Sequence, residues 1–303
     1  MKLVIQIPCY NEEECISKTI GDLPKEIKGI SEIIILAIND GSTDKTFQKL
    51  KELRVDHIIN FKVNKGLGPA FQAGLNYAKK INADLLINTD ADNQYQSKYI
   101  PELVSKIIND ELDIVIGARK IESINNFSWI KKKLQKIGSF VVRVISNQKF
   151  SDATSGFRIY SKKAIDKICI TSKFSYTLES LIQSEDLNLV IGEIKIDVNP
   201  PLRKSRLFKS NIDFIYHQML IIFRCFLFYK PLPFFSLISL PFFLMGILLI
   251  ARFFIYYFYG TGGLTQSLVI GSMLIILSFI CLGFGILGEL IRHNRKINEN
   301  SKL

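Results

Sequence analysis

The stretch Leu85-Leu86-Ile87-Asn88-Thr89-Asp90-Ala91-Asp92-Asn93-Gln94 decides how the chain is read. An apolar run of strand length gives out into two acids spaced i, i+2. In extended backbone such residues share a face, so Asp90 and Asp92 point together into whatever crevice opens at the strand's end. Open α/β sheets bind their ligands at that end. Two carboxylates, helped by the amide oxygen of Gln94, are hard oxygen donors that suit Mg²⁺ or Mn²⁺, ions that commonly arrive with a substrate's phosphates. A D-x-D pair by itself also fits a solvated turn, so its surroundings have to decide.

Outward from that stretch, apolar runs at 3–7, 33–38, 57–61, 112–118 and 190–198 read as further strands. Helices are expected at 45–54, after the Asn64-Lys65-Gly66-Leu67-Gly68-Pro69-Ala70 stretch as far as Lys80, at 97–109 and at 176–185. Pro8 should end the first strand, and Glu12-Glu13-Glu14 should open a helix whose dipole Glu13 and Glu14 complement. Gly41 permits a tight turn after the second strand, and Thr43 or Asp44 can cap the helix that follows. Gly66-Leu67-Gly68 is not a dinucleotide fingerprint, because the third glycine is missing and the motif follows the third strand, not the first. Strands alternating with helices imply an α/β fold with a doubly wound, mostly parallel sheet. Asp40, Asp90, Asp92 and Arg119 then lie at strand ends on one rim. Residues 151–158, Ser-Asp-Ala-Thr-Ser-Gly-Phe-Arg, read as a small-residue loop.

Residues 129–147 form a basic amphipathic segment carrying Lys131, Lys132, Lys133, Lys136 and Arg143, which reads either as a solvated surface helix or as one lying against anionic lipid. A second basic knot contains Arg203, Lys204, Arg206 and Lys209. The apolar segment at 212–229 is interrupted by Asp213, His217 and Arg224 and reads as an interfacial helix. Residues 232–259 and 267–289 are each long enough to span a bilayer. Lys230 precedes this hairpin and Arg292, Arg295 and Lys296 follow it, while the loop between the spans is uncharged, so both ends should be cytoplasmic. Arg252 is the odd residue within the first span, expected to snorkel or to pair within an oligomer. Tyr256, Tyr257 and Tyr259 suggest an aromatic belt. Gly271, Ser272, Ser278, Gly283, Gly285 and Gly288 permit close helix packing, which makes a homo-oligomer plausible.

The resulting plan is a cytoplasmic catalytic domain at 1–206, a juxtamembrane helix at 207–230, two spans within 231–291 and a basic tail at 292–303. The 303 residues carry a net charge of +11, which suits a membrane surface or phosphates. Nucleic acid is disfavoured by the anchor and by the lack of aromatic residues between the basic ones. Five scattered cysteines without a C-x-x-C pair indicate neither zinc nor a disulfide framework. The amino-terminal apolar run is too short for a signal peptide.

Six motifs occur in order: Pro8-Cys9-Tyr10-Asn11-Glu12-Glu13, Asn39-Asp40-Gly41-Ser42-Thr43-Asp44, Asn64-Lys65-Gly66, Asp90-Ala91-Asp92-Asn93-Gln94, Gly117-Ala118-Arg119 and Ser155-Gly156-Phe157-Arg158. As a set they resemble the family 2 glycosyltransferases of GT-A fold, within them the dolichyl-phosphate mannosyltransferase and polyprenyl-phosphate glycosyltransferase group. The resemblance implies an inverting, metal-dependent transfer of one hexose from a nucleotide sugar, GDP-mannose or a UDP-hexose, to a polyprenyl or dolichyl phosphate. It implies that Pro8, Tyr10, Glu12 and Asp40 hold the nucleotide, that Asp90 lies by the sugar and diphosphate, and that Asp92 and Gln94 ligate Mg²⁺ or Mn²⁺. Arg119, with Lys132, Lys133, Arg203 and Arg206, would bind the acceptor phosphate. The chain departs from the pattern at Asn39, where relatives often carry Asp, in the lysines of the basic helix, and around Arg203, where the usual glycine is missing. The alternatives are a membrane glycosyltransferase with another acceptor, such as a polysaccharide synthase, and an inert membrane scaffold. The first would be expected to show a Q-x-x-R-W motif, which the single tryptophan, Trp129, does not belong to.

Overall fold

The computed structural model describes residues 1–119, 138–140, 142–143, 146, 148–173, 176–200, 220, 223–224, 226–227, 229–260 and 264–300, with side chains as far as residue 294. The chain divides into two compact units, Met1–Met219 and Leu220–Leu303.

The first unit is built on seven strands: β1 (Lys2–Cys9), β2 (Glu32–Asp40), β3 (His57–Phe61), β4 (Leu85–Asn88), β5 (Ile114–Arg119), β6 (Arg158–Ser161) and β7 (Ile191–Ile196). They form one sheet in the order β3-β2-β1-β4-β6-β5-β7. Only β6 runs against its neighbours, and every other pairing is parallel. Passing through β6, β5 points the same way as β4, so the carboxyl ends of β1, β2, β4 and β5 gather on one rim. The strands are near-continuous apolar runs because both faces of a parallel sheet are covered. Ile5, Ile87 and Ile159, in three successive strands, are fully buried, each burial being worth about 1.5–3 kcal/mol.

Helices cover the sheet where an apolar stripe allows it: α1 (Ile16–Gly21), α2 (Thr46–Glu52), α3 (Leu67–Lys80), α4 (Ile100–Asn109), α5 (Lys162–Lys167) and α6 (Tyr176–Asp186). In α4 the buried residues Ile100, Leu103, Val104 and Ile107 follow the i, i+3, i+4, i+7 spacing of one helix face. A single 3₁₀ turn at Ser97–Tyr99 leads into it.

Several expectations are corrected. Pro8 does not end β1, which runs on to Cys9. The pairing of β1 with β4 stops at Gln6↔Asn88, so by Pro8 the ladder on that side is over and the missing N–H breaks no bond. Glu12-Glu13-Glu14 do not open a helix: α1 starts at Ile16 with no acid in its first turn. Glu13 reaches across instead, accepting the Lys45 N–H at 3.1 Å. The 151–158 loop ends one residue early, because Arg158 already begins β6 between β4 and β5. Gly41 behaves as expected, with φ +67° and the backbone of Val63 and Asn64 lying where a side chain would start.

The second unit contains α7 (Pro231–Phe258) and α8 (Thr265–Asn300). Both are long and apolar enough to cross a membrane, and only 11% and 17% of their most apolar windows are buried, unlike the core helix of a soluble domain. They pack against each other through glycine. A Cβ on Gly246 would lie 2.9 Å from the Gly271 carbonyl oxygen, and one on Gly271 would lie 2.9 Å from that of Gly246. Gly285 meets Leu232 and Phe235, and Gly288 meets Pro231. Gly271, Gly285 and Gly288 therefore pack inside the hairpin, whereas Gly283 has nothing within 4 Å among the described residues. Arg252 is exposed, its guanidinium 5.8 Å from the centroid of the Tyr256 ring, one turn nearer the connecting loop. Glu289 pairs with Arg292 at the other end. Of the expected interfacial helix, 207–219 lies outside the described residues, and the described positions among 220–229 are helical.

Candidate active site

β4 is buried throughout, and burial continues through Thr89. Beyond it the chain alternates: Asp90, Asp92 and Gln94 are partly open, whereas Ala91, Asn93 and Tyr95 are buried at 2–3% exposure. Asn93 takes φ +56°, a left-handed conformation that asparagine tolerates, and Asp92 Oδ1 accepts the Gln94 N–H at 3.0 Å. No group of three or more His, Cys, Asp or Glu side chains is assembled among the described residues. A cation held here would take at most two carboxylates and an amide oxygen from the protein, the rest coming from water and phosphate. This donor set fits Mg²⁺ or Mn²⁺ bound together with a diphosphate.

A buried polar network stands behind Asp90. Gln6 Nε2 donates to Asn88 Oδ1 at 2.9 Å, and Asn88 Nδ2 donates to the Gly156 carbonyl at 3.0 Å and to the Tyr176 hydroxyl at 2.6 Å. The Tyr176 hydroxyl donates to the same carbonyl, and the Gly156 N–H reaches the Tyr95 hydroxyl, both at 2.9 Å. Gly156 has to be glycine, since a Cβ there would lie 2.8 Å from the Tyr176 hydroxyl and 3.1 Å from Asp90 Oδ1. Burial pushes the Tyr95 hydroxyl up to about 12 and Tyr176 well above its ordinary value, so both stay protonated. Sequence reasoning missed this network, although two polar residues, Gln6 and Asn88, sitting in otherwise apolar strands were its signal.

Arg119 lies at the end of β5 on the same rim, close enough to Asp90 for their charges to interact. It is already engaged: Nε donates to Asp152 Oδ2 at 2.7 Å, and Nη2 to Asp152 Oδ1 at 3.1 Å and to the Thr154 hydroxyl at 2.7 Å. Asp152 also accepts the N–H groups of Thr154 and Ser155. Burial alone would raise the Asp152 carboxyl, but the Arg119 guanidinium and these hydrogen bonds hold it below the usual range. A carboxylate with a lowered folded pKa adds stability above its unfolded value of about 3.9, and that stability is lost as pH falls through the folded pKa. The melting-temperature gap between wild type and Asp152→Asn is therefore expected to be constant at neutral pH and to shrink below about pH 4. A gap independent of pH would remove this reading. Arg158 is wholly buried, its guanidinium donating to the carbonyls of Ser155, Thr177 and Ala153 and to the Ser180 hydroxyl.

At the nucleotide side expected from sequence, Tyr10 is 41% exposed and Pro8 is partly open. Glu12 is buried, its N–H donating to the Thr46 hydroxyl at 2.7 Å. Asp40 does not stand open to the rim: it is 4% exposed and accepts the Lys65 N–H at 2.7 Å and the Gly66 N–H at 2.9 Å. Its evident work is to shape the Asn64-Lys65-Gly66 loop. The backbone of Ser172 and Lys173 lies against Gly68 and Gly66 where side chains would begin, and Glu179 pins that backbone by accepting the Thr171 and Ser172 N–H groups. This explains the glycine pair without a dinucleotide. Lys132, Lys133, Arg203 and Arg206 lie outside the described residues.

Residues 4–169 match the model of glycosyl transferase family 2. The chain is 30% identical over 212 residues to UDP-N-acetylglucosamine–dolichyl-phosphate N-acetylglucosaminyltransferase of Methanococcus voltae, covering 63% of this chain and 82% of the relative. It is 28% identical over 206 residues to undecaprenyl-phosphate mannosyltransferase of Micrococcus luteus, covering 65% and 83%. Glucosyl-3-phosphoglycerate synthase of Mycobacterium tuberculosis, solved with Mn²⁺ and uridine diphosphate, superposes with a TM-score of 0.58 at 15% identity over 75% of this chain and 78% of that one. This last likeness is one of fold. With the acids on the rim, the GT-A arrangement of the sheet and a family match over more than half its length, the chain belongs to glycosyl transferase family 2 and is a glycosyltransferase.

Proposed function

We propose that the enzyme transfers one hexose from a nucleotide sugar to a polyprenyl or dolichyl phosphate at the cytoplasmic membrane face, with inversion and with a divalent cation. The observation that carries the reading is the partial exposure of Asp90, Asp92 and Gln94 just beyond the end of β4 while their alternate neighbours are buried. The names of the relatives support the class of acceptor. In this reading an acceptor phosphate oxygen attacks the anomeric carbon, the bond from that carbon to the nucleoside diphosphate breaks, and the diphosphate leaves with the electron pair. The acceptor is an anion near neutral pH, so no strong protein base is required. Asp92 and Gln94 would hold Mg²⁺ or Mn²⁺, which when bound neutralises charge on the departing diphosphate. Asp90 would face the sugar beside Gly156, whose backbone Tyr95 and Tyr176 hold. Pro8, Tyr10 and Glu12 form the wall of the nucleotide pocket, and Asp40 serves it through the loop it clamps.

Arg119 enters in a reduced role. Its Nε and Nη2 are committed to Asp152 and Thr154, which among the described residues leaves Nη1 for an incoming phosphate, and Lys132, Lys133, Arg203 and Arg206 carry the rest. Membranes containing the protein, incubated with radiolabelled GDP-mannose, UDP-glucose or UDP-N-acetylglucosamine and Mg²⁺ or Mn²⁺, are expected to yield a labelled chloroform-soluble product with one donor. No label from any donor would overturn the proposal.

A further inference from the structure

The turn that carries Asp92 and Gln94 is gripped from two sides by residues that do not themselves reach the rim. On one side stands α1: the Thr19 hydroxyl donates to the Ala91 carbonyl at 2.8 Å, and Asp22 accepts from Asn93 Nδ2 at 3.0 Å. On the other stands the chain that follows β7. There the Asn199 N–H donates to the Gln94 carbonyl at 2.8 Å, and Asn199 Nδ2 donates to the Asn93 carbonyl at 2.9 Å. Tyr95 and Val198 complete the seam with an antiparallel bridge, and the Tyr99 hydroxyl donates to Asp197 at 3.1 Å.

A single residue thus satisfies two successive carbonyls of the turn. The Asn93 carbonyl belongs to the peptide plane that also carries the Gln94 N–H, and that N–H donates to Asp92. With φ +56° at Asn93, the turn holds a conformation that its own sequence does not enforce. We infer that Asn199 is a positioning residue for the metal-binding turn: its two hydrogen bonds fix the direction in which Asp92 and Gln94 present their oxygens, and Thr19 braces the same turn from α1. Asn199 is also followed directly by Pro200, Pro201 and the basic segment beginning at Arg203. The inference rests on the metal reading of Asp92 and Gln94 given above.

The test measures Mn²⁺ binding without turnover. Full-length protein in detergent is titrated with Mn²⁺ in the presence of UDP or GDP, and free Mn²⁺ is followed by electron paramagnetic resonance. Asn199→Ala keeps the N–H and loses the side-chain bond, and it is expected to weaken Mn²⁺ binding by roughly 10-fold, the lower end of what loss of a residue supporting metal ligands costs. Asn199→Asp keeps the shape but turns an acceptor toward the Asn93 carbonyl, and it should weaken binding at least as much. Thermal melting measured without metal is expected to stay near wild type for Asn199→Ala, which separates positioning from general loss of structure. Should the Asn199 variants melt far below wild type, Thr19→Val serves the same purpose from α1, with a several-fold loss expected. Mn²⁺ binding within 2-fold of wild type in a folded Asn199→Ala or Thr19→Val protein would overturn the brace. Wild type that binds no Mn²⁺ with either nucleotide would overturn the metal reading itself, and the brace with it.

Discussion

Asp92→Ala is expected to lower sugar transfer by roughly 10²–10³-fold, the usual cost of removing one group that stabilises charge developing in a transition state. The protein should remain folded. Asp92 is partly open to solvent, and the hydrogen bond it accepts from the Gln94 N–H is worth about 1 kcal/mol. The measurement pairs labelled-lipid formation at saturating donor with a thermal melt of the same preparation. Activity above about a tenth of wild type would remove Asp92 from the machinery.

The largest effect on stability is expected at Arg158. Replacing it with leucine takes away donors to the carbonyls of Ala153, Ser155 and Thr177 in a place water does not reach; Thr177 keeps the Ser180 hydroxyl at 3.3 Å, and the carbonyls of Ala153 and Ser155 are left stranded. Each stranded carbonyl costs about 1–3 kcal/mol, so a total of roughly 4 kcal/mol is a moderate expectation. In a unit of this size that corresponds to a fall in melting temperature of about 8–16 °C. Activity should suffer as well, because the same guanidinium fixes the loop that brings Gly156 against Asp90 and Asp152 against Arg119. Arg158→Lys, which has a charge but no planar fork, should recover only part of the loss. A shift smaller than about 3 °C for the leucine variant would show that these bonds are replaceable.

What could be read from sequence was local and periodic. The β4 run ended where its apolar residues ended, β3 occupies His57–Phe61 as expected, and α3 closes at Lys80. The acids of the rim were legible because a strand followed by D-x-D is a local signal. Contacts across long stretches of chain were not legible. Asn88 meets Gly156 and Tyr176, sixty-eight and eighty-eight residues away, and no spacing rule in a single sequence joins them. Glu13 looked like a helix-opening acid because local propensity was the only evidence. Its partner in the folded unit, the Lys45 N–H, won instead. Arg119 was read as a free cation because its counter-charge, Asp152, sits thirty-three residues on in a loop of small residues. Gly271, Gly285 and Gly288 of the spans are points of close approach and Gly283 is not, and the sequence could not say whether the approaching residues belonged to the same chain.

The position of Arg252 along α7 works as a depth gauge. From Pro231, where Gly288 of α8 packs, to Arg252 is a rise of about 32 Å at 1.5 Å per residue, close to the roughly 30 Å thickness of a bilayer's hydrocarbon. In a membrane, then, the guanidinium need not be a charge stranded among lipid tails. With Lys230 and the Glu289–Arg292 pair level with one set of headgroups, it stands level with the other, and the rings of Tyr256, Tyr257 and Tyr259 lie past it. A bilayer a few ångströms thicker would pull this cation under, so the hairpin should prefer membranes whose thickness matches that rise.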